Sequence, residues 1–276
     1  MSRRFQQVDV FTSVAYLGNP VAVVLDGERL GDDQLARFSS WTNLSETTFV
    51  MPPTTDAADY RVRIFSLQRE LPFAGHPTLG TCHAWLEAGG VQRDAEQMVQ
   101  ECGAGLVRVR RTPEGFAFAA PPLVRSGPVE EAVAERVART LNIARSDIAD
   151  IAWADNGPGW VAVLLASAEA VLAVQRPVTV DLDIGVTGPY PAGSPEAIEV
   201  RAFSPKITSI EDPVTGSLNA SLAQWLLSSG RAAAPYIVSQ GTVLGRRGRV
   251  LIDQDEVGTI WVSGATVTSI TGQVDL

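Results

Sequence analysis

One pattern governs what this chain can fold into: part of it occurs twice. Arg63-Ile64-Phe65-Ser66 returns as Arg201-Ala202-Phe203-Ser204. Glu70-Leu71-Pro72-Phe73-Ala74-Gly75 returns as Glu211-Asp212-Pro213-Val214-Thr215-Gly216, both of the form E-x-P-x-x-G. A helical stretch follows each time, placing Trp85-Leu86 and Gly90 in the first copy and Trp225-Leu226 and Gly230 in the second. The offsets are 138, 141 and 140 in a chain of 276 residues. Three matches in the same order predict two halves of similar topology, 1–120 and 121–265. The junction falls near 119–128, and the tail 266–276 can return to the first half.

The two repeated helices carry small or apolar residues on nearly every face. Leu79, Cys82, Ala84, Trp85 and Leu86 do so in one; Leu218, Ala220, Leu222, Ala223, Trp225 and Leu226 do so in the other. A helix apolar all round is a buried helix. The segments around them read as strands: 5–12 and 20–27 alternate and are rich in β-formers, as are 46–52 and 59–66. The expected fold is therefore α+β, two pseudo-symmetric halves, each a curved mixed sheet or half-barrel around a central helix. Asp32 or Asp33 is expected to cap a helix carrying Leu35, Phe38 and Trp41, with Asn43 at its exit. The six Trp are expected to be mostly core.

Composition removes several classes of function. The net charge is −9 and no basic run exceeds Arg246-Arg247, which argues against a nucleic-acid partner. Lys206 is the only lysine, so Schiff-base chemistry would have to use that residue. Cys82 and Cys102 are too few for a disulfide framework and too far apart for a CxxC site. The greasy run 160–174 is interrupted by Ser167 and Glu169, and reads as a strand followed by a helix rather than a membrane span. A cytoplasmic protein is expected. Cys82 and His83 are neighbours but point about 100° apart on a helix, which does not suit a nucleophile–base pair. His76, Cys82 and His83 lack the i, i+4 spacing of a helical metal site. No phosphate-binding glycine loop occurs.

The E-x-P-x-x-G turns open both helices, and a helix N-terminus offers unpaired N–H groups and the positive end of the dipole. Under a twofold pseudo-symmetry the two starts would meet at the junction of the halves and receive a small carboxylate. Gly75 and His76 open the first helix, with Pro77 in a turn that needs no N–H. Gly216 and Ser217 open the second.

At these residues the sequence resembles the phenazine-biosynthesis PhzF-like isomerases. The matching segments are VDVFT (8–12), GNPVAVV (18–24), NLSETTFV (43–50), RIFSLQRELPFAGHPTLGT (63–81), EDPVTGS (211–217) and SQGTVLGRRGRV (239–250). The resemblance implies a diaminopimelate-epimerase-like fold, a homodimer, and no metal or organic cofactor. It carries a catalytic role to Glu46, in the SET segment, with His76 and Asp212 as proton partners or orienting groups. It assigns substrate contacts to Gly75, Gly216 and Ser217, and Asn19 in the GNP turn joins them. Racemases of this fold use one cysteine at each helix start. Here Ala74 stands at the first such place and the turn 212–216 has none, so two-thiol racemisation is not expected. Leu218-Asn219 departs from the Ala-Ala or Ala-His of many members, beside the presumed substrate.

The implied reaction is a proton and double-bond shift in a small unsaturated, conjugated carboxylate, of the kind met in antibiotic-type metabolism. Glu46 would remove the proton and return it further along, and burial would raise its pKa toward that task. Two alternatives stay open: an amino-acid racemase or epimerase using Glu46 and Asp212 as opposed bases, and a non-catalytic carboxylate-binding protein. Asp155-Asn156 is a weaker candidate for the rim of the site.

Overall fold

A computed structural model describes residues 1–67, 69–206 and 210–276. Gln68, inside one segment that carries the resemblance, lies outside them. The chain runs β1 (Ser2–Val10), β2 (Asn19–Val24), α1 (Asp32–Thr42), β3 (Glu46–Met51), β4 (Tyr60–Ser66), β5 (Glu70–Leu71), α2 (Gly75–Glu87), β6 (Gln97–Cys102), β7 (Gly105–Thr112) and β8 (Gly115–Ala119). It continues with β9 (Arg125–Pro128), α3 (Glu131–Leu141), β10 (Ile148–Asp155), β11 (Trp160–Leu165), α4 (Ala168–Ala173), β12 (Asp183–Pro189), β13 (Ile198–Phe203) and β14 (Glu211–Asp212). Then come α5 (Gly216–Ser228), β15 (Tyr236–Gln240), β16 (Gly248–Gln254), β17 (Ile260–Gly264) and β18 (Thr266–Asp275). Two compact units result: residues 1–119 with 263–276, and residues 120–262.

In the first unit β1 pairs antiparallel with β18 and β2, β2 parallel with β3, β3 antiparallel with β4, β4 parallel with β6, and β6 antiparallel with β7, which pairs with β8. Helices α1 and α2 make the two parallel crossovers, as parallel strands require. The second unit repeats this order. β10 pairs antiparallel with β9 and β11, β11 parallel with β12 across α4, β12 antiparallel with β13, β13 parallel with β15 across α5, and β15 antiparallel with β16.

The repeat seen in sequence is a repeat of register. Phe65 sits opposite Glu70, and Phe203 opposite Glu211. In each copy the repeated arginine forms a bidentate pair with the repeated glutamate. Arg63 Nε lies 2.7 Å from Glu70 Oε1, and Arg201 Nε lies 2.7 Å from Glu211 Oε1. The side chains are 19% and 43% exposed in the first pair, 1% and 2% in the second.

Helix α2 touches β1, β2, β3, β6, β7, β8 and β18. Seven strands about 4.8 Å apart reach one helix roughly 10 Å wide only if their sheet curls round it. Residues Gly75 to Cys82 and Ala84 are all buried. Gly80 marks the closest approach: a Cβ there would lie 2.4 Å from Val21 Cγ1. Helix α5 is buried along its length likewise and packs on β10, β11 and β16. A separate core lies under α1, where Val24, Leu30, Leu35, Phe49 and Phe65 pack together. In the second unit Ala134, Val137, Ala138 and Leu141 of α3 close over Ile151, Val161, Val163 and Ile184.

Two expectations are corrected. The N-cap of α1 is Gly31, whose N–H is met by the Gln34 side chain at 3.1 Å, while Asp32 and Asp33 lie in the first turn and favour the dipole. Asn43 ends that helix in the left-handed conformation, as its residue type allows. Only Trp160 and Trp261 are buried, and Trp41 is 80% exposed, stacked on Phe38. Leu218 is fully buried against Gly185 of β12, where a Cβ would lie 2.2 Å from its methyl carbon.

Candidate active site

Glu46 is the first residue of β3, three residues past the left-handed Asn43 that stops α1. Its side chain is 16% exposed, and its Oε2 lies 3.5 Å from His76 Nε2. His76 is the second residue of α2. The residue at the N-cap, Ala74, has no side chain that could cap the helix, so the first N–H groups of α2 have no such partner. Gly75 lets the backbone start the helix without adding bulk there.

The imidazole of His76 is almost wholly buried, and burial pushes its pKa down to about 3 from the ordinary 6.5, against the effect of a hydrogen bond to the Pro20 backbone. Burial outweighs that hydrogen bond, and the ring is neutral. Nε2 has no hydrogen bond, which leaves Nδ1–H as the group that donates to the Pro20 carbonyl. Nε2 therefore presents a lone pair to Glu46. A proton placed on Glu46 Oε2 has an acceptor 3.5 Å away. Asn19, 1% exposed, begins β2 and directly precedes Pro20.

In the second unit Asp212 is 8% exposed and its Oδ2 accepts from the Thr215 hydroxyl at 2.6 Å. Asp212 is thus not the cap of α5. Thr215 holds the N-cap position, but its hydroxyl caps nothing, being turned to Asp212. Gly216 is the first helical residue. Ser217, next in line, is held twice: Trp160 Nε1–H donates to its Oγ at 3.2 Å, and Asn156 Nδ2 donates to its carbonyl at 3.0 Å. The indole N–H fills one lone pair of the hydroxyl, so Ser217 is turned toward donating. Asp155 shapes this loop by accepting from Gly157 and Gly159 N–H groups.

Sequence reasoning missed Pro20, Trp160, Thr215 and Gln240. Thr215 stands in the repeated turn, and Gln240 lies in a quoted segment, 138 residues after Cys102. The signal was present, but hydrogen-bond partners across a sheet are not written in spacing. Neither thiol holds the place before a helix start, where Ala74 and Thr215 stand. Cys82 lies two turns into α2, fully buried, and burial pushes its thiol up to about 12. His83 is bonded to Thr266 and Thr268. Among the described residues, no group of three His, Cys, Asp or Glu could hold a metal, and no helix is long and apolar enough to cross a membrane.

Known proteins resemble this chain along nearly its whole length. The sequence profile of the PhzC-PhzF phenazine biosynthesis-like proteins matches residues 8–272. The chain is 36% identical to antisense-enhancing sequence 1 of Schizosaccharomyces pombe, over 98% of this chain and 97% of that protein. It is 32% identical to a trans-2,3-dihydro-3-hydroxyanthranilate isomerase of Pseudomonas fluorescens, over 87% of this chain and 86% of that one. The crystal structure of a Bacillus anthracis PhzF-family protein superposes with a TM-score of 0.84 at 22% identity, covering both chains fully. The chain belongs to the phenazine biosynthesis-like PhzC-PhzF family and has its diaminopimelate-epimerase-like fold.

Proposed function

We propose that the chain is an isomerase that shifts a proton, and with it a double bond, in a small conjugated carboxylate, with Glu46 as the acid/base. The isomerase class rests on family membership and on relatives that carry that name. The placement of Glu46 against the lone pair of a neutral, buried His76 carries the mechanism. A C–H next to a conjugated carboxylate is acidic because the carbanion is delocalised. Glu46 takes that proton and returns it at a distant carbon of the same system. Electrons only relocate, so the step is redox-neutral. His76 steadies the protonated form of Glu46 by accepting from it.

Asp212 serves as a second proton partner or orienting group. Gly75, Gly216 and Ser217 hold the carboxylate and the developing negative charge through N–H groups and the Ser217 hydroxyl. Asn19 joins them as a substrate contact. The substrate belongs to the dienoic or ring-bearing carboxylates of specialised metabolism, in one cytoplasmic enzyme that works as a homodimer.

The test uses trans-2,3-dihydro-3-hydroxyanthranilate, the compound named for three Pseudomonas relatives, and other small dienoic acids in D₂O. Wild type incorporates solvent deuterium at carbon. Glu46→Gln, which keeps the shape and removes the base, loses about 10²–10⁴ in rate. Full activity in that variant ends the proposal.

A further inference from the structure

A cavity of about 350 Å³ lies in the second unit, toward the far end of α5. Its walls are apolar, among them Leu164 of β11, Pro189 of β12, Ile198 of β13 and Leu226 of α5. Two polar side chains join them, Thr187 and Arg231. Leu226 stands nine residues beyond Ser217, about 13 Å along the helix at roughly 1.5 Å per residue. The cavity is therefore separate from the start of α5. Its volume falls at the lower end of pockets that hold small molecules, about 300–1,000 Å³.

The strand pattern explains how a hydroxyl comes to be there. Gly185 of β12 is packed against Leu218 of α5. Side chains alternate along a strand, so Thr187, two residues on, faces the later turns of the same helix. Its neighbours across the ladder are Leu164 and Val200. Thr187 is fully buried, and its hydroxyl has no hydrogen-bond partner among the described residues. Buried hydroxyls are nearly always bonded, because a bare one has lost its hydration for nothing. Arg231 arrives by another route. Gly230 takes the left-handed conformation after α5, and the Arg231 N–H returns to the Leu226 carbonyl at 2.9 Å. Its guanidinium lies over the Trp225 ring, 5.6 Å from the centre, and pairs with Asp150 at 2.5 Å. Arg231, with 38% of its side chain exposed, marks the mouth, and Thr187 the floor.

The first unit is an internal control. By the register that sets Thr47 against Phe65 and Ile184 against Phe203, Val50 holds the place of Thr187. Val91 follows Gly90 as Arg231 follows Gly230. Valine has the shape of threonine without the hydroxyl, so the strand position does not itself need the polar atom. We infer that the cavity is a binding site for a small, neutral, mostly apolar alcohol or phenol, whose hydroxyl bonds Thr187 while its body fills the apolar walls. A hydroxyl suits Thr187 because each can donate to or accept from the other. Neutrality follows from the mouth. The cation there is already matched by Asp150, so an anion would have to compete with a carboxylate.

The test uses the full chain with p-cresol, toluene and benzoate in methyl NMR titrations. p-Cresol should shift the Leu164, Ile198 and Leu226 methyl signals. Thr187→Val should weaken p-cresol about 3–10-fold, the loss of one hydrogen bond, and leave toluene within a factor of two. Because the hydroxyl has no protein partner, the same variant should keep the wild-type urea midpoint or exceed it. Benzoate should bind about tenfold more weakly than p-cresol, since its charge must be desolvated. The inference is overturned if p-cresol leaves those methyl signals unmoved at millimolar concentration, or if its affinity is indifferent to Thr187→Val. A lowered urea midpoint in Thr187→Val would overturn it as well, by showing that the hydroxyl is already bonded in the free protein. Benzoate binding as tightly as p-cresol would make the cavity an anion site and refute the neutral assignment. None of these readings uses the isomerase reaction, so the inference stands or falls apart from Glu46.

Discussion

His76 couples the proposed chemistry to stability, because a neutral ring is what the site needs and burial is what keeps it neutral. Its pKa is about 3 in the folded chain against 6.5 ordinarily. Between those values the unfolded chain binds a proton that the folded chain refuses, so folding loses stability as pH falls through that window. The contribution is fully present above about pH 6.5 and declines by up to roughly 1.4 kcal/mol per pH unit below it. His76→Gln should therefore flatten the fall in urea midpoint between pH 6.5 and 4, while lowering activity at every pH. An equally steep fall in the variant would mean that His76 titrates normally in the folded protein. His83, whose pKa burial also lowers, is common to both proteins and cancels from the comparison.

At the scale of elements, the two E-x-P-x-x-G turns are one solution used in two environments. Arg63–Glu70 lies partly in water and also meets Asp32 at 2.7 Å, whereas Arg201–Glu211 is shut inside, with Arg201 donating to the Val171 and Val174 carbonyls. Removing one charge from a buried pair strands the other, costing about 3–5 kcal/mol, while an exposed pair contributes about 0–1 kcal/mol. Glu211→Gln should thus lower the urea-derived stability several-fold more than Glu70→Gln; equal losses would mean the second pair is hydrated in solution. The pairs also show what the sequence could tell. Both turns, both central helices and the α+β class were legible, since repeat and apolar periodicity are one-dimensional signals. So was the Asn43 exit of α1, because its residue type suits a left-handed cap. The burial of one pair and not the other was invisible, as were Leu218 turning onto Gly185 and Trp160 reaching Ser217. Those depend on which residues face each other across strands.

On the whole molecule, the units share a topology but not a chemistry. Thr47 sits opposite Phe65 and Ile184 opposite Phe203, so Asp183 occupies in the second unit the place that Glu46 holds in the first. Duplication has left a carboxylate at both. Their surroundings have diverged. Asp183, 5% exposed, accepts from the Ser204 hydroxyl and is ion-paired to Lys206, which also donates to the Pro158 carbonyl. Glu46 instead faces a neutral imidazole. A carboxylate paired with a full positive charge suits structure. One beside a lone pair can hold a proton and suits transfer. The two positions should therefore separate stability from rate. Lys206→Met strands Asp183 and should lower stability by about 1–3 kcal/mol, tempered because the lysine is half exposed, while kcat stays within a factor of two. Glu46→Gln should do the reverse, losing the rate with a urea midpoint close to wild type. Measured side by side, a Lys206→Met enzyme as slow as Glu46→Gln would show that the second carboxylate takes part in the reaction, and that one base is not enough.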